Sequence, residues 1–493
     1  LYPKEVCMKS LSIVDESAQA GTGCSTPAGV SAMQRTAPHQ GAFQGRAAIV
    51  TLGCAKNQVD SEVMLGVLEK SGFEIVSSIA EADVAVINTC GFLESAVQES
   101  INATLEAAEY KTKGRLRRLI VAGCAVERYR DELVKSLPEV DDFLLTSELL
   151  TVGAVAAQGG EARLLDDMGR PYFLYDDTMP RKLASKQHMA YVKVAEGCNR
   201  PCTFCIIPRI RGEMRSRPVQ SIVDEVAALG ADGVREVNLV AQDLTSYGTD
   251  REGERLVDLL QALNARNSVQ WIRLLYSYPI GIDETLLRAM VELPTVCNYL
   301  DLPLQHASES VLKRMKRPVG RYATKEIVRF IREKAPELTL RTTFIVGFPG
   351  ETEADVDELV TLVSEGHFGS VGVFTYSSER GTPAAEMDGQ VPKRVKEARR
   401  NRVMAAQQRV LEERLAGYIG TTLPVLVEGT HDDTDLLLVG RTSFQAPEVD
   451  GVVLINDVAG IEGMGEVTPG NIYLVEITEV AGYDLVGRIV SPC

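Results

Sequence analysis

Residues 190–205 read "AYVKVAEGCNRPCTFC". An apolar run with strand character, 190–195, leads straight into three cysteines, Cys198, Cys202 and Cys205, spaced C-x-x-x-C-x-x-C. Tetrahedral zinc sites and ordinary iron–sulfur clusters take four protein ligands. Three cysteines therefore leave two readings open. One is a zinc site completed by a distant fourth residue. The other is a four-iron cluster with one iron lacking a protein ligand, an open position that a substrate or cofactor fills, as on catalytic zinc. The five histidines, at 39, 188, 306, 367 and 431, include none at a short ligand spacing after Cys205, which favours the cluster. Phe204, just before the last cysteine, is a candidate aromatic wall for a bound cofactor.

Outward from this motif the chain continues as a βα series. Candidate strands are 190–195, 235–240, 271–278, 298–304, 339–346 and 370–376, with amphipathic helical segments such as 219–230, 254–266 and 353–366 between them. Six such units predict a partial TIM-type (βα)6 barrel over 189–387, open on one side, with the cysteine motif on its C-terminal face. "GFPGE" (347–351) is not a phosphate loop, because it lacks the G-K-[ST] ending. His306 reads most simply as a hydrogen-bonded rim residue.

Toward the N-terminus, 46–150 also alternates strand and helix. "AAIVTL" (47–52), "VAVINT" (84–89) and "RLIVAG" (118–123) are buried parallel strands by pattern. Helical patterns fill the intervals, and Gly72 is a plausible C-cap for the first. Each strand is followed at once by a cysteine: Cys54, Cys90 and Cys124. A lone cysteine beside a buried strand is usually a small hydrophobe. Three at equivalent strand ends, each touching a glycine, predict convergence on a ligand at one sheet edge, the glycines allowing backbone to approach a cofactor.

A connection is expected over 151–188, a helix with basic residues over 388–417, and a small five-stranded β-barrel over 418–493. Residues 1–45 are rich in Ala, Ser, Gly, Thr and Gln without periodicity and read as a disordered tail lacking a secretory signal; an organellar transit peptide is the weaker alternative. Without a secretion signal the ten cysteines suggest metal or catalysis rather than disulfides, and Cys7, Cys24, Cys297 and Cys493 sit in no pattern. No apolar run is long enough for a membrane span. The chain carries 52 Lys and Arg against 68 Asp and Glu, a net charge of −16. That argues against strong nucleic-acid binding, which needs clustered cations.

The cysteine motif on a partial βα barrel resembles the radical S-adenosylmethionine (SAM) enzymes. "TLGCAKNQVDSE" (51–62), "NTCGF" (88–92) and "AGC" (122–124) resemble the N-terminal domain of the methylthiotransferases in that class, and the C-terminal barrel their TRAM domain. The resemblance covers about 46–493. It implies two 4Fe–4S clusters, one on Cys198, Cys202 and Cys205 and an auxiliary, sulfur-handling one on Cys54, Cys90 and Cys124. It also implies two SAM molecules per turnover: one methylates sulfur at the auxiliary cluster, and the other is cleaved to a 5′-deoxyadenosyl radical that abstracts a hydrogen atom. "LDLPLQHASESVLKRMKR" (300–317) and "TTFIVGFPGETE" (342–353) resemble segments around the SAM pocket. Where the family usually has a glycine-glycine-glutamate segment, "VAQD" (240–243) stands, so no residue is assigned to the SAM amino group.

Two branches of the family differ in substrate: one modifies an isopentenylated adenosine of transfer RNA, the other the β-carbon of an aspartate in ribosomal protein S-twelve. Over 418–493 there are twelve acidic residues and two basic ones, Arg441 and Arg488. Such a surface repels phosphate and attracts a basic protein. "GRTSFQAPEVDGVVLI" (440–455) and "EGCNRPCTFCIIPRIRGEMRSRP" (196–218) resemble the ribosomal-protein branch. The expectation is thus a cytoplasmic transferase acting on that basic protein, alone or within the small subunit, with an unidentified electron donor.

Overall fold

The computed structural model describes residues 44–158, 174–184, 187–458 and 467–493; the tail expected over 1–45, with Cys7 and Cys24, lies outside them up to residue 43. The chain divides into two compact units, 1–173 with 178–184, and 174–177 with 185–493.

The first unit is built on β1 (Gly45–Thr51), β2 (Phe73–Ile75), β3 (Val84–Thr89), β4 (Arg118–Gly123) and β5 (Asp142–Leu144), all parallel in the order β2-β1-β3-β4-β5. β3 and β4 are buried at every position, which is why they read as unbroken apolar runs. In register, Val50, Ile87 and Val121 feed one core and Ile49, Val86 and Ile120 the core on the opposite face. The helices are α1 (Ala55–Lys70), α2 (Glu94–Lys113), α3 (Cys124–Ser136) and α4 (Val152–Gln158). α1 starts at Ala55, with Cys54 in the N-cap position making no side-chain cap bond and polar Lys56, Asn57 and Asp60 buried in its first turns. Gly72 follows the cap residue Ser71 with φ of 92°, the left-handed position that glycine fills without strain. Val152–Gln158, inside the expected connection, is helical because Val152 and Ala156 complete the core beneath α1.

The second unit carries six parallel strands, paired in chain order: β6 (Met189–Lys193), β9 (Glu236–Val240), β10 (Trp271–Leu274), β11 (Val296–Asp301), β12 (Thr339–Val346) and β13 (Ser370–Thr375). This is the expected open (βα)6 barrel. β7 (Ala195–Glu196) and β8 (Arg215–Ser216) form a two-residue antiparallel ladder flanking the cysteine loop. The helices are α5 (Ile207–Arg211), α6 (Val219–Ala231), α7 (Leu256–Arg266), α8 (Glu284–Glu292), α9 (Glu309–Arg314), α10 (Thr324–Lys334), α11 (Glu353–Ser364) and α12 (Lys393–Ala416). The basic stretch of α12 is partly used in ion pairs: Arg399 meets Glu351 and Glu353, and Arg402 also meets Glu353.

The C-terminal strands β14 (Thr422–His431), β15 (Thr434–Arg441), β16 (Val453–Asp457), β17 (Ile472–Ala481) and β18 (Asp484–Pro492) close into a barrel in the order β14-β15-β16-β18-β17. Alternate residues such as Tyr473, Val475 and Ile477 fill its core. It is seated on the N-terminal ends of the larger barrel's strands through buried charges. Arg441 pairs with Glu236 at 2.6 Å and Glu428 at 2.7 Å, and Arg273 pairs with Glu236 at 2.8 Å and donates to the Ser443 carbonyl at 2.6 Å. The Tyr299 hydroxyl donates to Asp450 at 2.6 Å. Burial pushes the Glu236 carboxyl up, but Arg441 and Arg273 outweigh it and hold it below its usual range.

Removing one partner of a buried pair leaves an uncompensated charge and costs about 3–5 kcal/mol. Arg441→Met is therefore expected to lower the urea midpoint of the second unit. Trp271, the chain's single tryptophan, lies two residues from Arg273 on β10 and reports the transition by fluorescence. An unchanged midpoint would show that the seat does not depend on this cation.

Candidate metal and cofactor sites

In the first unit β1, β3 and β4 are neighbours, and Cys54, Cys90 and Cys124 follow them at one sheet edge. The loops that carry them interlock. The Asn57 amide donates to the carbonyls of Leu52 and Thr89 at 2.8 and 2.9 Å, and Asn88 donates to the Asn57 carbonyl and to Ser61. Thr89 Oγ1 donates to the Ala122 carbonyl and accepts from the Ala125 amide. The Cys124 thiol lies 3.8 Å from Asn57 Oδ1, and the Ser100 hydroxyl accepts from the Cys90 amide. The three adjacent glycines let loop approach loop. A Cβ on Gly53 would lie 2.9 Å from that of Cys90, one on Gly91 2.3 Å from the Cys124 carbonyl, and one on Gly123 2.3 Å from Asn88 Oδ1.

In the second unit the cysteine loop leaves β6 at the C-terminal face. Gly197 turns it with φ of 86°, and a Cβ there would lie 2.1 Å from the Glu213 carbonyl, so only glycine fits. Buried Glu196 anchors the loop: Lys193 pairs with it at 2.6 Å, Arg211 at 3.3 Å, and Gln242 donates to its other oxygen. Burial pushes this carboxyl up, but Lys193 and Arg211 prevail and hold it at about 2. Arg200 pairs with Asp243 at 2.6 Å. Gln242 and Asp243, of the "VAQD" segment, thus brace the cysteine loop. Further along, the Thr203 amide donates to the Met315 carbonyl and its hydroxyl to that of Arg314. Phe204 is half-buried against Val311, Met315, Phe348, Tyr376 and Ala384.

His306, just after the C-terminal end of β11, is fully buried and hydrogen-bonded. Its Nδ1 accepts from the Ser308 amide, so the proton sits on Nε2, 3.3 Å from Glu351. Glu351, of the "GFPGE" segment, also accepts from the Gly347 amide and from Arg399. This ties the loop after β12 to α12.

The thiols are the soft ligands that an iron–sulfur cluster takes. Among the described residues no three His, Cys, Asp or Glu side chains close around one metal ion. Ligands of a single zinc, each at about 2.3 Å, nearly touch one another, whereas a four-iron cluster takes each sulfur on a separate iron. The Arg200 and Ile207 amides point at the sulfurs of Cys198 and Cys205, each from 3.5 Å, the donor arrangement that stabilises thiolate. Burial pushes the Cys198 thiol up to about 11 and that of Cys205 to about 12, so without metal both keep their protons.

Residues 192–363 match the radical SAM superfamily, 419–490 the TRAM domain, and 46–145 UPF0004, an uncharacterized protein family. Fold and domain matches together define a radical SAM enzyme that transfers a sulfur-containing group. The chain is 47% identical to the ribosomal protein uS12 methylthiotransferase RimO of Anaeromyxobacter sp. (strain K), across 90% of this chain and 92% of that one. It is 46% identical to the RimO of Syntrophotalea carbinolica (90% and 97% covered) and 45% to that of Geobacter sulfurreducens (90% and 99%). The chain belongs to the RimO methylthiotransferase family, which uses SAM and 4Fe–4S clusters. Among solved structures it is similar to the radical SAM methyltransferase TsrM from Kitasatospora setae, 16% identical with a TM-score of 0.49 over 67% of this chain and 71% of that one.

Thiolate is the nucleophile, and its fraction rises tenfold per pH unit below the thiol pKa. In iron-free protein, alkylation of Cys198 and Cys205 by iodoacetamide is therefore expected to be slow at pH 8 and to climb until about pH 11, read by peptide mass spectrometry. A plateau by pH 9 would contradict the burial of these thiols.

Proposed function

We propose that this chain adds a methylthio group to the β-carbon of an aspartate in ribosomal protein uS12. The observation that carries the reading is three thiols, and no fourth among the described residues, on the C-terminal edge of each parallel sheet, in a chain of the RimO family. Cys198, Cys202 and Cys205 hold one cluster and Cys54, Cys90 and Cys124 the auxiliary one, within domains spanning 189–387 and 46–150. When bound, the first cluster supplies the electron that cleaves SAM to the radical which takes a hydrogen atom from that carbon. The chain's own residues position this chemistry: Glu196 and Thr203 fix the cysteine loop, and Phe204, held on one side by its apolar neighbours, offers its free edge as a wall for SAM. A one-electron donor of unassigned identity completes the system, and the setting is the cytoplasm. No described helix is long and apolar enough to cross a membrane.

The TRAM barrel, residues 418–493, is proposed to meet the basic substrate or the small subunit around it. Glu428 and Asp450 are buried in the seat, but Asp432, Asp433, Asp435, Glu448, Asp457 and Glu479 are exposed. Arg441 is buried and Arg488 is paired with Glu476, so the surface of this barrel is strongly acidic. Because it sits at the N-terminal ends of the strands, a length of roughly 13 Å of strand separates it from the cysteine face. It can retain the partner but cannot line the reaction cavity.

Anaerobically reconstituted protein is expected to hold about eight irons, in two four-iron clusters. Replacing Cys198, Cys202 and Cys205 by Ala should halve the iron and abolish 5′-deoxyadenosine formation. Replacing Cys54, Cys90 and Cys124 should also halve the iron, leave some SAM cleavage and remove the methylthio product. Cleavage surviving the first triple substitution would overturn the ligand assignment.

Substrate choice is decided by assaying ribosomal protein uS12 and an isopentenylated transfer RNA side by side, with product only on the former expected. Binding of uS12 should weaken as salt rises, since exposed charges are screened over roughly 8 Å at physiological ionic strength. Changing Asp432, Asp433 and Asp435 to Lys should weaken it further while substrate-free SAM cleavage stays unchanged. Activity on the transfer RNA alone would refute the substrate assignment.

A further inference from the structure

Two guanidinium groups lie on one tyrosine ring beside the cysteine loop. Arg200 Cζ is 4.2 Å and Arg317 Cζ 4.1 Å from the centre of the Tyr278 ring. Tyr278 is buried, and Thr245 fixes its backbone by donating to its carbonyl and accepting from its amide. The two cations differ in their counter-charges. Arg200 is neutralised by Asp243 at 2.6 Å. Arg317 is buried, donates to the Pro303 carbonyl, and points Nη1 at Cys202 Sγ from 3.9 Å, while its Nε has no partner. Among the described residues no carboxylate pairs with Arg317. Its place is set by the segment just before it, stitched to Thr203 of the loop through the carbonyls of Arg314 and Met315.

A buried cation without a counter-charge is costly unless an anion comes to it. Here the nearest candidates are the cysteine sulfurs. We propose that Arg317, stacked on the Tyr278 ring that Arg200 also contacts, raises the reduction potential of the cluster held by Cys198, Cys202 and Cys205, and so eases its uptake of one electron from an external low-potential donor. The inference rests on the ligand assignment above. Net charge and hydrogen bonds to sulfur are the protein's levers on such potentials. Reduction adds one negative charge to the group that Cys202 binds, and a guanidinium at this sulfur favours the more negative state. Arg317 is a positioning residue, acting on the electron-transfer step through Cys202. Asp243 opposes it, since its charge reaches Cys198.

The test is a potentiometric titration without SAM, followed by electron paramagnetic resonance. It uses full-length reconstituted protein carrying C54A, C90A and C124A, so that one cluster gives the signal. Arg317→Gln is expected to move the midpoint at least tenfold in equilibrium constant toward the oxidised form, about 59 mV for one electron, with iron and sulfide content unchanged. Arg317→Lys, which keeps the charge, should recover more than half of that shift. Asp243→Asn should move the midpoint the opposite way. A cluster-loaded Arg317→Gln protein with the parent midpoint overturns the proposal, as does an Arg317→Lys shift equal to that of Gln. Should Arg317→Gln lose its iron, Asp243→Asn decides, and a midpoint that does not rise refutes the role of charge. Retention of the signal after loss of Cys198, Cys202 and Cys205 would refute the ligand assignment, and this inference with it.

Discussion

Parallel strands send every carboxyl end to the same edge of a sheet. Each unit of this chain uses that constraint to gather chemistry that is scattered in sequence. β1, β3 and β4 lie side by side, so Cys54, Cys90 and Cys124 follow them at one edge although 36 and 34 residues separate successive pairs. In the open barrel the loops after β6, β9, β10 and β11 bring together the three-cysteine motif, Asp243, Tyr278 and Arg317. Once the strands are parallel and in register, the remaining task is to hold mobile loops in place at that edge.

Buried polar groups perform that task in both units. In the first, Asn57, Asn88 and Thr89 bond mainly to backbone, fixing three loops without adding charge. In the second, the anchor is ionic: Glu196 between Lys193 and Arg211. Buried ion pairs contribute little net stability because of desolvation, but breaking one is costly. Such pairs define a unique geometry for the loop that carries Cys198, Cys202 and Cys205.

The same device at the opposite end of the barrel has another consequence. Arg441, Glu428 and Asp450, together with barrel residues Glu236, Arg273 and Tyr299, fix the TRAM barrel where it cannot reach the cysteine face. The TRAM barrel and the three-cysteine motif thus lie at opposite ends of one βα barrel. Part of the acidity counted along residues 418–493 is internal, and Asp432, Asp433, Asp435, Glu448, Asp457 and Glu479 remain exposed.

The sequence alone determined the strands of both parallel sheets wherever burial on two faces wrote an unbroken apolar run, and it determined the six patterned cysteines, since strand ends in a βα series are countable. It also indicated the five strands of the small barrel, because one wet and one dry face write a period of two. Three-residue β2 and β5 and the seven-residue α4 left no such trace, being too short for a period to show. The first turns of α1 were hidden because their buried residues are polar. The sequence placed Arg317 and Asn57 inside segments resembling the family, and Gln242 in one that departs from it, but gave them no role. Only the tertiary structure decided which side chain meets which sulfur, which acids face solvent and which pay for a seat on the barrel. Such contacts join residues tens to hundreds of positions apart, and local periodicity carries no information about them.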